Sequence, residues 1–537
     1  ISFRNRRKFN NEIEQLLEEY EGETSSSSDE DGSETAENEH ISEHSDEDDL
    51  FDVESGSDDD DVLLSDFCMG KNGYTWRRTP FTVPNTRTAS RNIVINQPGP
   101  KGIARDAKTE LEAWKIFFPD EILDIIVMHT NAQIDRISET IKNQRYTSKT
   151  DKVELMALFG LMYRSGLYKT AKTNLSELWS IVDGPPIFRA TMSKNRFEFL
   201  VNYLKVNDNF AALREVWDKF QVLCSQYYTP SEHVTVDEQI LGFLVMMCDA
   251  KTAYMISAIP YVGRMSECPT GQSIPSYYVL KLSEPIHHTN RNITMDNWFS
   301  SIQLANELRN IGLTMIGTLR KNKPEIPPKF LAKKKDFPTS VFAFDKNITL
   351  VSHVPKKNKC VVLISTMHNS GEIDPNTQKP AIILDYNATK GGVDTFDQLS
   401  HSKTTARKTR RWPLRFFYGM LDAGGINSYV ILKANIRRSK LKRNYFLRNL
   451  SLQLVQPYVK RRLDEVKNLP QSLKVIMLHV LGVDEENSAQ VAQARSTSSS
   501  RCYLCTRAKD RKGREKCVKC SKNICAQHRL PICHQCI

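Results

Sequence analysis

The fold is decided by one short stretch, His233-Val234-Thr235-Val236-Asp237-Glu238-Gln239-Ile240. Apolar and polar side chains alternate along it, and this period of two predicts a half-buried strand. Further strands are predicted at residues 245–247, 254–259, 292–295 and 313–319, with an amphipathic helix between the last two. This pattern indicates an α/β core in which a strand–helix–strand unit joins antiparallel strands.

Both flanks of this core are predicted to be helical. Apolar residues recur at helical spacing after Ser193, a residue type that often caps helices; they are Phe197, Leu200, Val201 and Leu204. The chain is again mostly helical, and strongly basic, from Asp394 to about residue 483. A Lys/Pro-rich segment, residues 321–380, interrupts the core and has strand-like pieces at 341–344 and 361–364. The predicted fold class is therefore α/β plus α.

Charge is distributed very unevenly along the 537 residues. Residues 1–66 hold 24 Asp/Glu against 4 Lys/Arg, a composition that predicts a disordered acidic tail. The rest of the chain carries 70 basic against 40 acidic groups. Such a basic body indicates a polyanionic partner, most often nucleic acid. No stretch is long enough to cross a membrane, so we predict a soluble, nuclear protein.

Three carboxylates stand in or next to predicted elements: Asp237 inside the first strand, Asp296 just past a later strand, and Asp394 shortly after Gly391-Gly392. Asp397 lies three residues after Asp394, so a helix would place both on one face. Such acids could hold two Mg²⁺ ions, which would clamp the attacking and leaving oxygens of a phosphoryl transfer. An isolated aspartate is more often a helix cap or a surface acid. The apolar surroundings of Asp237, a costly place for a bare carboxylate, favour the metal site.

A basic segment follows these acids directly, with no carboxylate before Asp422. Its cationic residues are Lys403, Arg407, Lys408, Arg410, Arg411 and Arg415. Basic clusters are usually solvated surfaces or nuclear localisation signals. Here a DNA backbone lying on the segment would lead into the acidic site, so we predict phosphate contacts.

Seven of the 12 cysteines fall after residue 501, which indicates metal rather than disulfides in a chain without a secretory signal. Four pairs of ligands, each with two intervening residues, are sufficient for two tetrahedral zinc ions. Their spacing favours a cross-brace, although a sequential pairing is also possible. The cross-brace groups Cys502, Cys505, Cys525 and His528 at one zinc, and Cys517, Cys520, Cys533 and Cys536 at the other.

Three blocks resemble the signature blocks of piggyBac-type transposases: Val236–Phe243, Asn292–Phe299 and Lys390–Gln398. The similarity extends from about residue 70 to the end and includes Arg411-Trp412-Pro413 and Ile426-Asn427-Ser428. The resemblance implies an RNase H-like catalytic domain containing an insertion domain. It also implies a helical dimerisation and DNA-binding domain, built from segments on both sides, and a C-terminal zinc module.

The expected boundaries follow from this resemblance and from composition. They are an acidic tail 1–66, a linker 67–110, the helical domain 111–231 and 404–483, the catalytic domain 232–320 and 381–403, the insertion 321–380, a linker 484–500 and the zinc module 501–537. Asp237, Asp296 and Asp394 would be the magnesium triad, with Asp397 a required fourth acid. The family excises double-stranded DNA and inserts it at TTAA sites, so transposon ends are the expected partner of a homodimer.

One departure from the family bears on activity. Members usually carry an Arg/Lys/Pro-rich segment after the first block, whereas Phe243 here runs directly into Leu244-Val245-Met246. Phosphate-binding groups next to Asp237 are thereby lost. Two hypotheses remain open: an active cut-and-paste transposase, and a domesticated or decayed relative that binds DNA or chromatin without cleaving it. A ubiquitin ligase built on the zinc module is a weaker third.

Overall fold

The structure is a computed structural model. It describes residues 66–81, 93–138, 145–204, 210–239, 244–260, 268–269, 271–331, 337–357, 359–409, 411–436, 441–466, 468–483, 500–509, 511–513, 515–516 and 522–528. The acidic tail 1–65 and most of the linker 484–500 thus lie outside the described residues. So do Arg410 and the four ligands expected at the second zinc.

Ten of the described strands form one mixed sheet in the order β1-β2-β10-β11-β12-β9-β8-β5-β6-β7. These strands are β1 (Phe67–Met69), β2 (Thr75–Arg77), β5 (His233–Gln239), β6 (Leu244–Asp249), β7 (Met255–Pro260), β8 (Asn292–Met295), β9 (Thr314–Thr318), β10 (Thr339–Phe344), β11 (Thr349–Lys356) and β12 (Lys359–Ser365). β3 (Gly99–Pro100) and β4 (Tyr228–Thr229) form a separate two-stranded pair, and β13 (Ser500–Arg501), β14 (Lys512–Gly513), β15 (Glu515–Lys516) and β16 (Asn523–Ile524) lie in the C-terminal module. The strands β5, β8 and β9 are mutually parallel, and β5-β6-β7 are antiparallel.

Helices cover this sheet and form the flanking part of the chain. They are α1 (Glu110–Lys115), α2 (Asp120–Ser138), α3 (Lys152–Leu167), α4 (Leu175–Leu178), α5 (Pro186–Thr191), α6 (Lys194–Tyr203), α7 (Phe210–Gln226), α8 (Ile274–Ser283), α9 (Ile302–Asn310), α10 (Pro328–Leu331), α11 (Ala381–Thr389), α12 (Gly392–Ser402), α13 (Trp412–Asn435), α14 (Arg443–Glu465) and α15 (Gln471–Val480). No described helix is long and apolar enough to cross a membrane. The prediction of an α/β core with helical flanks is confirmed.

The predicted elements agree with the structure in most places. Ser193 caps α6 as expected, because its hydroxyl accepts a hydrogen bond from the Arg196 backbone N–H. The predicted strand at 233–240 is β5, and the strand-like pieces of residues 321–380 are β10 and β12, which extend the main sheet beyond β9. The segment 67–110, expected as a linker, also contributes: β1 and β2 form a hairpin that pairs with β10.

A buried ion pair and a tyrosine hydroxyl join helices that precede β5 to a helix that follows β12. The Glu154 carboxylate on α3 accepts hydrogen bonds from Arg196 Nε on α6 (2.8 Å) and from the Tyr458 hydroxyl on α14 (2.8 Å). The side chains of Arg196 and Glu154 are each only 7% exposed. Because its charged groups are hydrogen-bonded, this network can stay buried without leaving a bare charge. Segments before and after the sheet therefore pack as one helical unit.

The outer edge of β7 is covered by side-chain amides rather than by another strand. Asn427 on α13 accepts a bond from the Met255 N–H and donates one to the Met255 carbonyl, both 2.9 Å long. Gln221 on α7 accepts a bond from the Ala258 N–H (2.6 Å). The triplet Ile426-Asn427-Ser428 thus has a structural role, because its asparagine attaches the helical unit to the sheet.

Candidate active site

Two carboxylates are set side by side by the parallel pairing of β5 and β8. Val236 on β5 pairs with Met295 on β8. Asp237 directly follows Val236, and Asp296 directly follows Met295. Neighbouring strands of a sheet lie about 4.8 Å apart. The pairing therefore places Asp237, near the carboxyl end of β5, beside Asp296, which directly follows β8.

A pair of threonines on the same strands attaches the helix that carries the third acid. Thr235 and Thr294 are direct register partners, and each lies two residues before an aspartate, on the same face of its strand. Thr235 Oγ1 donates to the Thr389 carbonyl (2.7 Å) and accepts from the Gly392 N–H (3.2 Å). The hydroxyls of Thr294 and Thr389 lie 2.7 Å apart. These bonds, here called the threonine latch, hold the junction of α11 and α12 on the sheet, with Asp394 in the first turn of α12.

Gly392 permits this close approach. A Cβ at this position would lie 2.5 Å from Thr235 Oγ1 and 3.2 Å from the Ala250 Cα. Any other residue would push the start of α12 away from β5. Sequence reasoning missed the latch, although both predicted strands carry a threonine two residues before the aspartate.

The electrostatics of two separate elements indicate a single acidic site. Burial, together with the negative charges of Asp296, Asp394 and Glu238, raises the pKa of Asp237 to about 7, against an opposing hydrogen bond from the Glu238 N–H. Burial and the charges of the same triad also raise the pKa of Tyr386, on α11, to about 12. Tyr386 is therefore a further residue of the site that sequence reasoning missed.

The remaining contacts define how the acids are held. Asp296 Oδ1 accepts a bond from the Trp298 N–H (2.9 Å). Half-buried Asp397 lies one turn after Asp394, and its charge contributes, after burial, to the raised pKa of the Cys248 thiol on β6. Among the described residues only the cysteine–histidine cluster has three or more ligand atoms within 4.8 Å of one another. The ligand atoms of the three acids therefore do not all lie within 4.8 Å of one another, unlike those of the cysteine–histidine cluster.

The basic segment 403–415 is held against the helical unit by two of its own arginines. Arg407 donates to the carbonyls of Thr170 (3.1 Å) and Thr173 (2.6 Å). Arg411 donates to carbonyls at the C-terminal end of α6, including that of Asn202 (2.5 Å). Lys408 is exposed, whereas Lys403 and Arg415 are half-buried. The structure thus gives Arg407 and Arg411 intramolecular partners.

A buried carboxylate fixes the start of the same segment. Asp422 on α13 accepts bonds from the Thr404 hydroxyl (2.7 Å) and the Thr405 N–H (2.8 Å). Burial raises the pKa of Asp422 to about 6, although these hydrogen bonds oppose the shift. The segment is therefore anchored near its start by the bonds of Thr404 and Thr405 to Asp422, and further along by Arg407 and Arg411.

Near the C-terminus, Cys502, Cys505, Cys525 and His528 form one cluster. His528 Nδ1 lies 3.4 Å from the sulfurs of Cys502 and Cys525, and the Cys505 and Cys525 sulfurs are 3.7 Å apart. Ligands about 2.0–2.3 Å from a tetrahedral zinc are separated by about 3.5–3.8 Å. The cluster fits a zinc ion, and its members are the set that the cross-brace requires; a sequential pairing would have grouped Cys502 and Cys505 with Cys517 and Cys520.

Comparison with known proteins identifies the class of protein to which the chain belongs. Residues 109–244 and 242–429 match the family model described as Transposase IS4. A solved structure of the piggyBac transposase synaptic complex with hairpin DNA is 34% identical, with a TM-score of 0.75, and the match covers 82% of this chain and 100% of that one. The chain belongs to the piggyBac-type transposase family.

Two curated human proteins are also similar. PiggyBac transposable element-derived protein 3 is 21% identical over 362 residues, and the match covers 58% of this chain. The chimeric ERCC6-PGBD3 protein shows the same identity over the same length. The matched region spans 60% of the first relative's length and 34% of the second's.

Proposed function

We propose that this protein is a piggyBac-like cut-and-paste DNA transposase that performs magnesium-dependent strand cleavage and transfer at TTAA sites. The observation that carries the proposal is the convergence of Asp237, Asp296 and Asp394 through strand register and the threonine latch. The strand order β7-β6-β5-β8-β9, three antiparallel strands followed by two parallel ones, supports an RNase H-like catalytic domain with residues 321–380 as its insertion.

The three carboxylates are hard oxygen ligands of the type that Mg²⁺ prefers. Two bound ions would activate the attacking oxygen, first of water and then of a DNA 3′-hydroxyl, and stabilise the leaving oxygen. The raised pKa of Asp237 fits this role, because a cation would relieve the repulsion among the acids. Asp397 would act from the next turn of α12 by supporting Asp394.

DNA binding is supported by the basic body and by the family. The matched solved structure is a synaptic complex of piggyBac transposase with hairpin DNA. We assign phosphate contacts to Lys408, Lys403 and Arg415, with Arg410 in the same segment. Arg407 and Arg411 would position the segment through their bonds to backbone carbonyls. The protein would act as a homodimer in the nucleus.

The C-terminal module would hold two zinc ions in a cross-brace and bind the element's end sequences. Its residues 501–537 contain ten Lys/Arg against Asp510 and Glu515, a balance that suits a DNA partner. The clustered ligands Cys502, Cys505, Cys525 and His528 support the first of these two zinc sites.

A domesticated or decayed DNA-binding protein is the second candidate, and one observation favours it. β5 and β6 pair to their ends, Gln239 opposite Leu244, so only residues 240–243 connect them. The basic segment that family members carry at this position is therefore lacking. This version would keep the zinc module and basic helices and lose cleavage.

An excision assay separates the two candidates. A plasmid cassette bounded by the element's own terminal sequences would be tested with the wild type and with Asp296→Ala. We expect excision with clean TTAA repair, abolished in the variant. DNA binding without excision by the wild type would reject the transposase in favour of the binding protein.

A further inference from the structure

A small cavity lies at the end of the sheet opposite the acids. Its walls include Pro230, which precedes β5, and Arg291, which directly precedes β8. Since Asp237 and Asp296 stand at the other ends of these strands, the cavity is separate from the candidate active site. Its volume is about 50 Å³, room for several waters or one small anion, because a water needs roughly 10–15 Å³.

The Arg291 guanidinium is fully buried and incompletely bonded. It donates from Nε to the Ser231 carbonyl (2.9 Å) and from Nη2 to the carbonyls of Pro230 (2.9 Å) and Asn96 (2.9 Å). Its Nη1 is buried and has no hydrogen-bond partner within the protein. Arg291 is 0% exposed. A buried donor without a partner is costly, and more so when it carries charge.

A second cation lines the same cavity. Lys101 is half-buried, and its pKa is lowered by burial and by the charge of Arg291. No carboxylate is among the cavity's lining residues, which instead include Ser225, Tyr228 and Thr289.

Two carboxylates, those of Glu232 and Asp249, act electrostatically on Arg291. Neither accepts a hydrogen bond from Arg291 Nη1. Glu232 is exposed, and Asp249 is fully buried. The Asp249 carboxylate accepts bonds from the Thr252 hydroxyl (2.7 Å) and the Tyr228 hydroxyl (3.2 Å). Two positive groups therefore face a polar cavity whose walls bring no counter-charge.

We propose that this cavity binds one phosphate-class oxyanion, with Arg291 and Lys101 as its charged ligands. Charge-assisted bonds to a phosphate suit an arginine–lysine pair, because both groups donate and neither accepts. Arg291 also holds the Asn96 carbonyl, and Asn290 Nδ2 donates to the Ile93 carbonyl (2.9 Å). The bound anion would therefore stabilise the segment 93–100 against the body of the protein.

Inorganic phosphate is the probe, added to the full-length protein without DNA. Thermal unfolding would be followed during a phosphate titration and a chloride titration at matched ionic strength. A site of this kind gives a saturable rise in Tm with phosphate beyond the effect of chloride. We expect Lys101→Met to weaken phosphate binding roughly ten-fold or more, the loss of one charge-assisted bond.

Lys219→Met, an exposed lysine on α7, is the matched control and should bind phosphate like the wild type. Asp296→Ala should do the same, which keeps this test independent of the proposed catalysis. Equal effects of phosphate and chloride would mean that the cavity holds water only. Wild-type affinity in Lys101→Met would mean that phosphate binds elsewhere, and either result would overturn the proposal.

A DNA arm identifies the source of the phosphate. The affinity for duplex DNA would be measured as a function of salt concentration. If a DNA phosphodiester occupies the cavity, Lys101→Met should reduce the slope of log affinity against log salt by about one unit relative to Lys219→Met. An unchanged dependence, together with the phosphate-specific shift in Tm, assigns the cavity to a free anion.

Discussion

The two candidate metal sites within the described part of the chain are built in opposite ways. The cysteine–histidine cluster draws its ligands from residues 502–528, and their spacing alone discloses it. The acid site draws on β5, the end of β8 and α12, and depends on strand register and the threonine latch. A site whose ligands are close in sequence can be predicted from their spacing. A site assembled from distant elements shows in the sequence only as separate acids in or next to predicted strands and helices.

Zinc removal should have the largest effect and should be confined to the C-terminal module. Structural zinc contributes about 10 kcal/mol or more to the folding of such modules. We expect a zinc-specific chelator, or Cys525→Ser, to make residues 500–528 sensitive to proteolysis while the main unfolding transition is retained. Cys268→Ser removes a cysteine outside the cluster and should retain the wild-type zinc content. Loss of the whole fold on chelation would show that the two regions are not independent.

Loss of one acid should have the reverse effect, on activity and not on folding. Asp237→Ala removes a proposed magnesium ligand, and we expect excision to fall by roughly 10³-fold or more, since bound metals contribute several kcal/mol to such reactions. The Tm without added metal should not fall, because one charge of a mutually repelling group is removed. Asp135→Ala, on α2 and outside the site, is the control. Excision at the wild-type rate in Asp237→Ala would remove this residue from the triad.

The threonine latch should have an intermediate effect on both quantities. Thr235→Val keeps the side-chain volume but leaves the Gly392 N–H and the Thr389 carbonyl without this partner. We expect a loss of about 1–3 kcal/mol in stability and, because misplacement by about 1 Å costs about 10²-fold, a comparable fall in excision. Thr191→Val removes another buried hydroxyl, bonded to the Ile187 carbonyl (2.8 Å), far from the acids. If both variants lose only stability, to the same extent, the latch does not position Asp394.

The smallest effect is expected where the helical unit meets the sheet. Asn427→Ala leaves the Met255 N–H and carbonyl without their partner, at a cost of about 1–3 kcal/mol. Denaturant unfolding would measure this loss, with the exposed Lys433→Ala on the same helix as control. Any excision activity should be retained at a permissive temperature. Unchanged stability would mean that the amide contacts contribute nothing net to the attachment.

Local patterns predicted much of the fold. The alternation of residues 233–240 predicted β5, and the strand predicted at 292–295 coincides with β8. β11, whose residues Thr349–Lys356 mix polar and apolar side chains, was missed, because its pairing with β10 and β12 decides its state. The hairpin of β1 and β2 was missed for the same reason.

The residues of the candidate active site likewise fall into those that the sequence could predict and those that it could not. Asp237 could be singled out because burying a carboxylate in an apolar strand costs free energy. Asp296 and Asp394 could be singled out because they stand next to a predicted strand and a predicted helix. Tyr386 and Thr389 could not, because helix α11 gives no periodic signal that it will lie against the ends of β5 and β8. Arg291 likewise resembles any surface cation in sequence, and only the tertiary structure buries it.

The amide contacts on β7 limit how molecules of this protein can associate. A free sheet edge is a template onto which a strand from another molecule can add, the first step of many aggregates. Asn427 occupies both hydrogen-bonding groups of Met255, and Gln221 occupies the Ala258 N–H. At these positions a second chain would have to displace side chains held by two packed helices. Growth of the sheet from this edge is therefore blocked.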